Sequence, residues 1–119
     1  MLQIMQEIDT LTFGDGFARL TDDTEMYFGT AQVVGVEAIK AFFVTIDEPL
    51  NITHEVREFW ISSGGVRLLR GEATMAKKAE PGNVAHAPFM HIFYLDDGEP
   101  WRIKTWRITA GPLQTDAVM

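Results

Sequence analysis

The chain has 119 residues, of which 46% are hydrophobic and 23% charged, and a formal net charge of −7 at pH 7. This size predicts one domain, and the negative charge argues against a nucleic-acid surface. No apolar run reaches the roughly 18–20 residues of a membrane span. The acidic start lacks the lysines of a secretory signal, so we expect a cytoplasmic protein. Because the chain has no cysteine, disulfides and thiolate chemistry are excluded.

The first half of the chain predicts short helices and strands. Apolar residues at helical spacing indicate an amphipathic helix within residues 1–12. A second short helical stretch and two short strands follow at residues 17–20, 24–28 and 30–34. One apolar face then predicts a helix from residue 35 that ends before Pro49. This face is formed by Val36, Ile39, Phe42 and Phe43.

The second half predicts four long strands joined by turns that contain glycine. They span residues 51–61, 65–75, 86–95 and 100–110. Strands of this length twist and curl, so the sheet has a hollow side that must be filled. Helices followed by an antiparallel meander predict an α+β fold, with N-terminal helices packed on a curved, mostly antiparallel sheet around an internal pocket. We expect the domain to end at residue 113, before a frayed tail.

Several segments, in this order, resemble the SnoaL-like family of the nuclear transport factor 2-like superfamily. They are GDGFARLTDDTEMYFG, VVGVEAIKAFF, ITHEV and FMHIFYLDDG, followed by a Trp-Arg-Ile strand, and they cover about residues 13–113. The resemblance implies a cone-shaped α+β barrel. The superfamily includes isomerases, epoxide hydrolases, dehydratases, polyketide cyclases and binding modules, so the fold does not select a function.

Known carboxylates of the superfamily have no counterpart here. By the resemblance, the proton-abstracting aspartate of ketosteroid isomerase falls at Phe28, and the cavity aspartate of the cyclases falls at Gly111. The Arg/Asp arrangement of limonene-epoxide hydrolases has no clear match either. The catalytic groups must therefore be sought elsewhere in the pocket.

The resemblance puts the odd-numbered residues of the last two strands inside the cone. A turn centred near Gly98 places His91 opposite Thr105 and diagonal to Arg107, roughly 7–8 Å away. This predicts a catalytic set of His91 as a neutral general base, Arg107 as an oxyanion stabiliser and Tyr27 as an orienting donor. The predicted substrate-binding residues are Phe28, Met75, Phe89, Phe93, Thr105 and Thr109.

Each of these roles has a structural alternative. His91 is also explained as a hydrogen-bonded core histidine, and Tyr27 as a tyrosine bound by backbone. Arg107 equally fits an ion pair with Asp15 or Asp47. A surface or capping role is favoured for His54. No metal site is expected, because the three histidines form no ligand motif.

The sequence therefore predicts conversion of a small hydrophobic carbonyl compound, polyketide- or terpenoid-like, by acid/base chemistry without a cofactor. The reaction would be of the isomerase, cyclase or dehydratase type. A non-catalytic binding module for an apolar ligand and a dimeric assembly domain are the alternatives. An outer sheet face carrying apolar side chains predicts a homodimer. These side chains are Ile92, Tyr94, Trp106 and Ile108.

Overall fold

A computed structural model describes residues 2–111 and the backbone of residues 114–115. It confirms the predicted α+β class: two helices pack on a curved, mostly antiparallel sheet. The elements are α1 (Gln3–Thr10), a 3₁₀ helix (Phe17–Arg19), β1 (Glu25–Phe28), β2 (Ala31–Val34), α2 (Val36–Asp47), β3 (Leu50–Ser62), β4 (Val66–Lys77), β5 (Ala85–Leu95), β6 (Ile103–Ala110) and β7 (Gln114–Thr115).

The strands form one sheet in the order β2-β1-β6-β5-β4-β3, and β7 pairs with the start of β5. All pairs are antiparallel except β1 with β6, which is parallel. The tail predicted to fray thus includes two residues that pair with the sheet, while residues 116–119 lie outside the described part of the chain. No helix within the described residues is long and apolar enough to cross a membrane.

An aromatic cluster packs α2 and the 3₁₀ segment against the concave face of the sheet. The ring of Trp106 in β6 lies 5.1 Å from that of Phe93, 5.4 Å from that of Phe43 and 6.0 Å from that of Phe17, between centroids. All four side chains are buried. Stacked, tilted and edge-on aromatic pairs of this kind add to the energy of burying the rings.

The loop after α1 is organised by a buried carboxylate. Glu7 accepts hydrogen bonds from the backbone N–H groups of Gly14, Gly16 and Phe17 at 2.9, 2.8 and 2.9 Å. Burial favours a higher pKa for Glu7, but these N–H donors outweigh it and lower the pKa. A Cβ at Gly16 would lie 2.8 Å from Glu7 Oε2, so this position favours glycine.

A β-bulge in β6 overturns the predicted register of the last two strands. Tyr94 pairs with Thr105 and Leu95 with Ile103, which leaves Lys104 as an extra residue. Because Leu95 pairs with Ile103, the turn is centred on Glu99 and not on Gly98; with the added bulge residue, His91 lies opposite Ile108 and not opposite Thr105. Because one added residue reverses the alternation of side chains, the predicted inward orientation of most of β6 is wrong.

Because of this reversal, five residues of β6 lie on the face of the sheet opposite to the predicted one. Trp106 and Ile108, predicted to lie on the outer face, are buried beneath the helices. Thr105, Arg107 and Thr109, predicted to face the pocket, pair with convex-face residues instead. The homodimer remains a prediction. The apolar residues on the convex face include Trp60, Leu68, Ile92 and Tyr94.

A second bulge lies at Arg57 in β3. Residues before and after it that would share a face in a regular strand therefore lie on opposite faces of the sheet. Val56 pairs with Gly71 but Glu58 pairs with Arg70, so the alternation shifts by one residue between them. His54 therefore shares the concave face with Ile52 and Val56, while Glu58 lies on the convex face. The bulge brings β3 so close to β4 that a Cβ at Gly71 would lie 1.9 Å from the Glu55 carbonyl oxygen.

Candidate acid-base site

A cavity of about 260 Å³ lies between the helices and the concave face of the sheet. Its walls come from α1, α2, β1 and β3–β6, and three of the described side chains that line it are polar: Asp47, His54 and His91. Phe28, Met75 and Phe89, predicted to bind substrate, lie in its wall. Their role in binding stays a prediction. The sequence-based preference for a surface role of His54 is wrong.

His54 is held in one orientation by a carboxylate from α1. Asp9 accepts a hydrogen bond from the His54 backbone N–H at 2.9 Å and pairs through its other oxygen with Nδ1 of the His54 ring. A carboxylate at Nδ1 requires the ring proton on that nitrogen. In the neutral ring, Nε2 of His54 then carries the lone pair and acts as a proton acceptor.

His91 is held in the opposite tautomer by Trp106. The indole N–H of Trp106 donates to Nδ1 of His91 at 3.1 Å. Because an indole nitrogen can only donate, Nδ1 must be the accepting nitrogen and the ring proton must sit on Nε2. Burial, assisted by the nearby His54, lowers the pKa of His91 to about 3. The ring is therefore neutral, and His91 is a hydrogen-bond donor instead of the general base that was predicted.

Both free ring nitrogens face the cavity. Among the described residues that are not exposed, every side-chain nitrogen or oxygen atom that is itself completely buried has a hydrogen-bond partner. The Nε2 atoms of His54 and His91 bond to none of the described residues, so they must be reached from the cavity that both rings line. The ring centroids are 6.2 Å apart. An acceptor and a donor thus lie side by side in a chamber whose other described lining residues, apart from Asp47, are apolar.

Asp47 adds a carboxyl group to the same chamber. It is the last residue of α2 and only 6% exposed, following Ile39 and Phe43 along the buried side of the helix. Burial raises the pKa of Asp47 to about 6; His54 opposes this shift and the negative charge of Asp9 adds to it. Perturbed carboxyl groups in clefts are typical of functional sites.

Asp47 also borders a second, more polar recess on the other side of the cavity wall. This recess has a volume of about 370 Å³ and is lined by Asp9, Asn51, Thr53 and Lys78 among others. Leu50 and Ile52 contribute to both spaces. The carboxyl group therefore stands between an apolar interior and a polar surface.

Arg107 and Tyr27 do not lie in the cavity. The Arg107 guanidinium lies 4.5 Å from the centre of the Tyr27 ring on the convex face. The Tyr27 hydroxyl donates to Glu25 at 3.3 Å and accepts from Gln32 at 3.1 Å. The predicted His91–Arg107 pair is therefore not formed, and neither proposed role, oxyanion stabiliser or orienting donor, is available at the site.

Three predicted substrate-binding residues lie elsewhere. Thr105 and Thr109 are on the convex face because of the β6 bulge. Phe93 is fully buried in the aromatic cluster against Trp106, and it is not part of the cavity wall. Among the described residues, no group of three His, Cys, Asp or Glu side chains is arranged to hold a metal ion.

Sequence reasoning missed the Asp9–His54 pair and Asp47. For Asp47 a signal existed: it continues the apolar stripe of α2, where a charged residue is out of place. For His54 the alternation with Ile52 and Val56 pointed inward, but the bulge at Arg57 hid it. The pairing of Asp9 with a residue 45 positions away left no local signal.

Comparison with solved structures identifies the fold. A SnoaL-like polyketide cyclase candidate from Shewanella denitrificans OS-217 superposes with a TM-score of 0.75 at 13% identity, covering 92% of this chain and 86% of that one. A second, from Jannaschia sp. CCS1, gives 0.75 at 18% identity and covers 92% and 81%. An LEH-like epoxide hydrolase of M. tuberculosis gives a TM-score of 0.71 at 16% identity and covers 91% of this chain and 77% of that one.

These likenesses confirm that the chain has the SnoaL-like, NTF2-like fold that its sequence segments predicted. No protein-family model matches the sequence, and no curated protein does. The function must therefore be argued from the site.

Proposed function

We propose that the cavity carries out proton transfer on a small hydrophobic carbonyl compound without a cofactor. The observation that carries this proposal is the pairing of an accepting His54 Nε2 with a donating His91 Nε2–H in an apolar chamber. One group takes a proton while the other holds the oxygen on which negative charge develops.

The step runs as follows. The substrate carbonyl oxygen accepts a hydrogen bond from His91, and His54 Nε2 removes a proton from the adjacent carbon. The C–H electron pair moves into the C=C bond of an enolate, whose oxygen stays bound to His91. Asp9 stabilises the positive His54 ring that results. Where the substrate carries a further C=C bond next to the reacting carbon, the enolate is a dienolate, and return of the proton to its far carbon gives the isomer. Where it carries a β-hydroxyl group, that group leaves as water with a proton from Asp47, which gives dehydration.

The surroundings strengthen this chemistry. A hydrogen bond to a developing oxyanion stabilises it more in an apolar, water-poor chamber than in water. General-base catalysis by a positioned side chain typically contributes about 10²–10⁴-fold. Two of the solved structures that share this fold are described as candidate SnoaL-like polyketide cyclases and one as an epoxide hydrolase. They support small-molecule conversion by analogy of fold alone.

The open cavity favours conversion or binding of a ligand over the assembly-domain alternative, which calls for a pocket filled by the protein's own side chains. Binding without catalysis is separated from conversion by experiment. The probe is exchange of the α-hydrogens of cyclohexenone and similar small cyclic ketones for deuterium in D₂O, followed by proton NMR.

The wild-type protein should accelerate exchange, and His54→Gln should lower the rate about 10²–10⁴-fold. His86→Gln, a histidine change on the convex face of β5, is the matched control and should leave the rate unchanged. Saturable binding of the ketones without any exchange would instead identify a binding module.

A further inference from the structure

We infer that the substrate is an uncharged molecule of about one six-membered ring, with a hydrogen-bond acceptor and a donor or acidic C–H at the same end. The inference rests on the proposed function of the same cavity and deepens it. Three features of the cavity carry it: its volume, its charge and the opposite tautomers of its two histidines.

The volume limits the ligand to a small skeleton. The cavity of about 260 Å³ corresponds to roughly nine water molecules at ~30 Å³ each, or on the order of ten non-hydrogen atoms. A fused four-ring steroid needs about twice this space. A single ring with short substituents fills the cavity, and larger skeletons have to leave part of their surface outside it.

Three alanines of the sheet form the floor of the cavity, and their small side chains leave space for a ligand. Ala73 pairs with Ala87 across β4 and β5, and Ala110 pairs with Phe89 across β5 and β6. All three line the cavity. Phe28 closes it from β1, where its ring packs 5.4 Å from that of Phe42. Changes at Ala87 and at Phe28 should therefore reduce and enlarge the accepted skeleton, respectively.

The charge of the cavity disfavours anionic ligands. Among the described residues, no lysine or arginine lines the cavity, and the one carboxyl group there is that of Asp47. Transferring a carboxylate or phosphate from water to such a chamber leaves the charge without a partner, which is costly. The substrate should thus be neutral.

The two ring nitrogens set the polar end of the ligand. His91 Nε2–H requires an acceptor, and His54 Nε2 requires a donor or an acidic C–H, with the two rings 6.2 Å apart between centroids. A ring ketone with an α-hydrogen satisfies both, and so does a phenol, whose single oxygen donates and accepts. An apolar ring of the same size satisfies neither and leaves both nitrogens unpaired.

Isothermal titration calorimetry at neutral pH tests this with five probes: cyclohexenone, phenol, toluene, benzoate and a steroid ketone. Cyclohexenone and phenol should bind at least about tenfold more tightly than toluene. Benzoate and the steroid ketone should show no measurable binding. Tighter binding of benzoate or of the steroid would overturn the inference.

Two cavity variants sharpen the test. Ala87→Val should weaken phenol binding by about tenfold or more, while Ala31→Val, an exposed strand alanine outside the cavity, should leave it unchanged. Phe28→Ala should admit a two-ring ketone that the wild type rejects. This gain cannot come from misfolding, and failure to admit the larger ketone in a folded Phe28→Ala protein would count against the assigned size limit.

The outcomes separate this inference from the proposed function. Proton exchange in a steroid ketone but not in cyclohexenone would refute the substrate class and leave the function standing. Binding of the small neutral rings as predicted, with no exchange in any of them, would support the substrate class and refute the function.

Discussion

The two faces of the sheet treat polar side chains differently. On the convex face polar groups pair with one another: Arg70 with Glu58, and Arg107 with the Tyr27 ring. On the concave face, Asp47 has no hydrogen-bond partner among the described residues, and each of the two histidines keeps one ring nitrogen open to the cavity. The polar groups of the convex face interact with one another, whereas those on the concave side have atoms that remain available to a ligand in the cavity.

The polar groups of the two faces also differ in what they contribute to folding stability. Exposed ion pairs contribute only about 0–1 kcal/mol each, so the convex face can gain or lose them with little effect. A buried carboxyl group with a raised pKa is destabilising whenever it is ionised. Proteins retain such groups mainly where activity needs them. The predictions below test whether the two faces differ in this way.

Asp9→Asn should have the largest effect, because Asp9 is the positioning residue that fixes His54. Its amide group cannot accept from both the backbone N–H and Nδ1 of His54 in the way the carboxylate does. We expect ketone proton exchange to fall about 10²–10⁴-fold. Nitrogen NMR should also show loss of the Nδ1-protonated form of His54, which a purely structural role would not predict. Asp15→Asn, at an exposed loop position, is the control and should change neither readout.

Asp47→Asn should stabilise the protein at mildly alkaline pH. The pKa of Asp47 is raised from 3.8 to about 6 in the folded state. The folded protein therefore holds this proton more tightly than the unfolded chain, and ionisation above pH 6 costs up to about 3 kcal/mol. Asp47→Asn removes this charge, so the free energy of unfolding near pH 8 should rise by up to about 3 kcal/mol. Urea unfolding measures this change.

The gain from Asp47→Asn should shrink as pH falls through 6 and vanish below about pH 4, where both states are protonated. Glu48→Gln alters the next residue, which is exposed, and should change stability little at any of these pH values. Loss of stability in Asp47→Asn near pH 8, or a gain that does not depend on pH, would contradict the raised pKa.

Trp106→Phe should have an intermediate effect. It keeps an aromatic ring in the cluster but removes the N–H that donates to His91 Nδ1. A buried acceptor left without a partner typically costs about 1–3 kcal/mol, and the smaller ring adds some lost packing. The free energy of unfolding should fall accordingly. Trp60→Phe, in which the replaced side chain is 60% exposed, should leave it nearly unchanged.

Arg107→Ala should have the smallest effect. The guanidinium is exposed and stacks on Tyr27, which is worth about 0.5–1 kcal/mol. Unfolding measurements should therefore show a loss of at most about 1 kcal/mol, and the rate of ketone exchange should stay the same. A large loss of exchange in a stably folded Arg107→Ala protein would return Arg107 to the site and contradict the register of β6.

The sequence was sufficient for the elements because each has a local pattern. The apolar stripe of α2 and the alternation within each long strand are set by the nearest neighbours in the chain. The face of the sheet on which each strand residue lies could not be predicted from such local patterns. Single extra residues at Arg57 and Lys104 reverse the alternation, and a bulge forms in response to the partner strand.

The β6 sequence does hold a trace of its bulge. Ile103, Trp106 and Ile108 are the buried residues, and the spacing of three between the first two breaks a strict alternation. The site was harder to predict, because its groups come from α1, α2, β3 and β5 and meet only in the folded chain. His91 was recognised as a cavity residue, but its tautomer depends on Trp106 from the next strand.

The most direct test of this account is nitrogen NMR of the histidine ring atoms in the wild-type protein. We predict opposite neutral tautomers: His91 with the proton on Nε2 and His54 with the proton on Nδ1. His91 should keep its form across the whole neutral range, since its pKa is lowered to about 3. Finding the same tautomer in both rings, or a His91 ring that gains a second proton near neutral pH, would contradict the donor–acceptor pair.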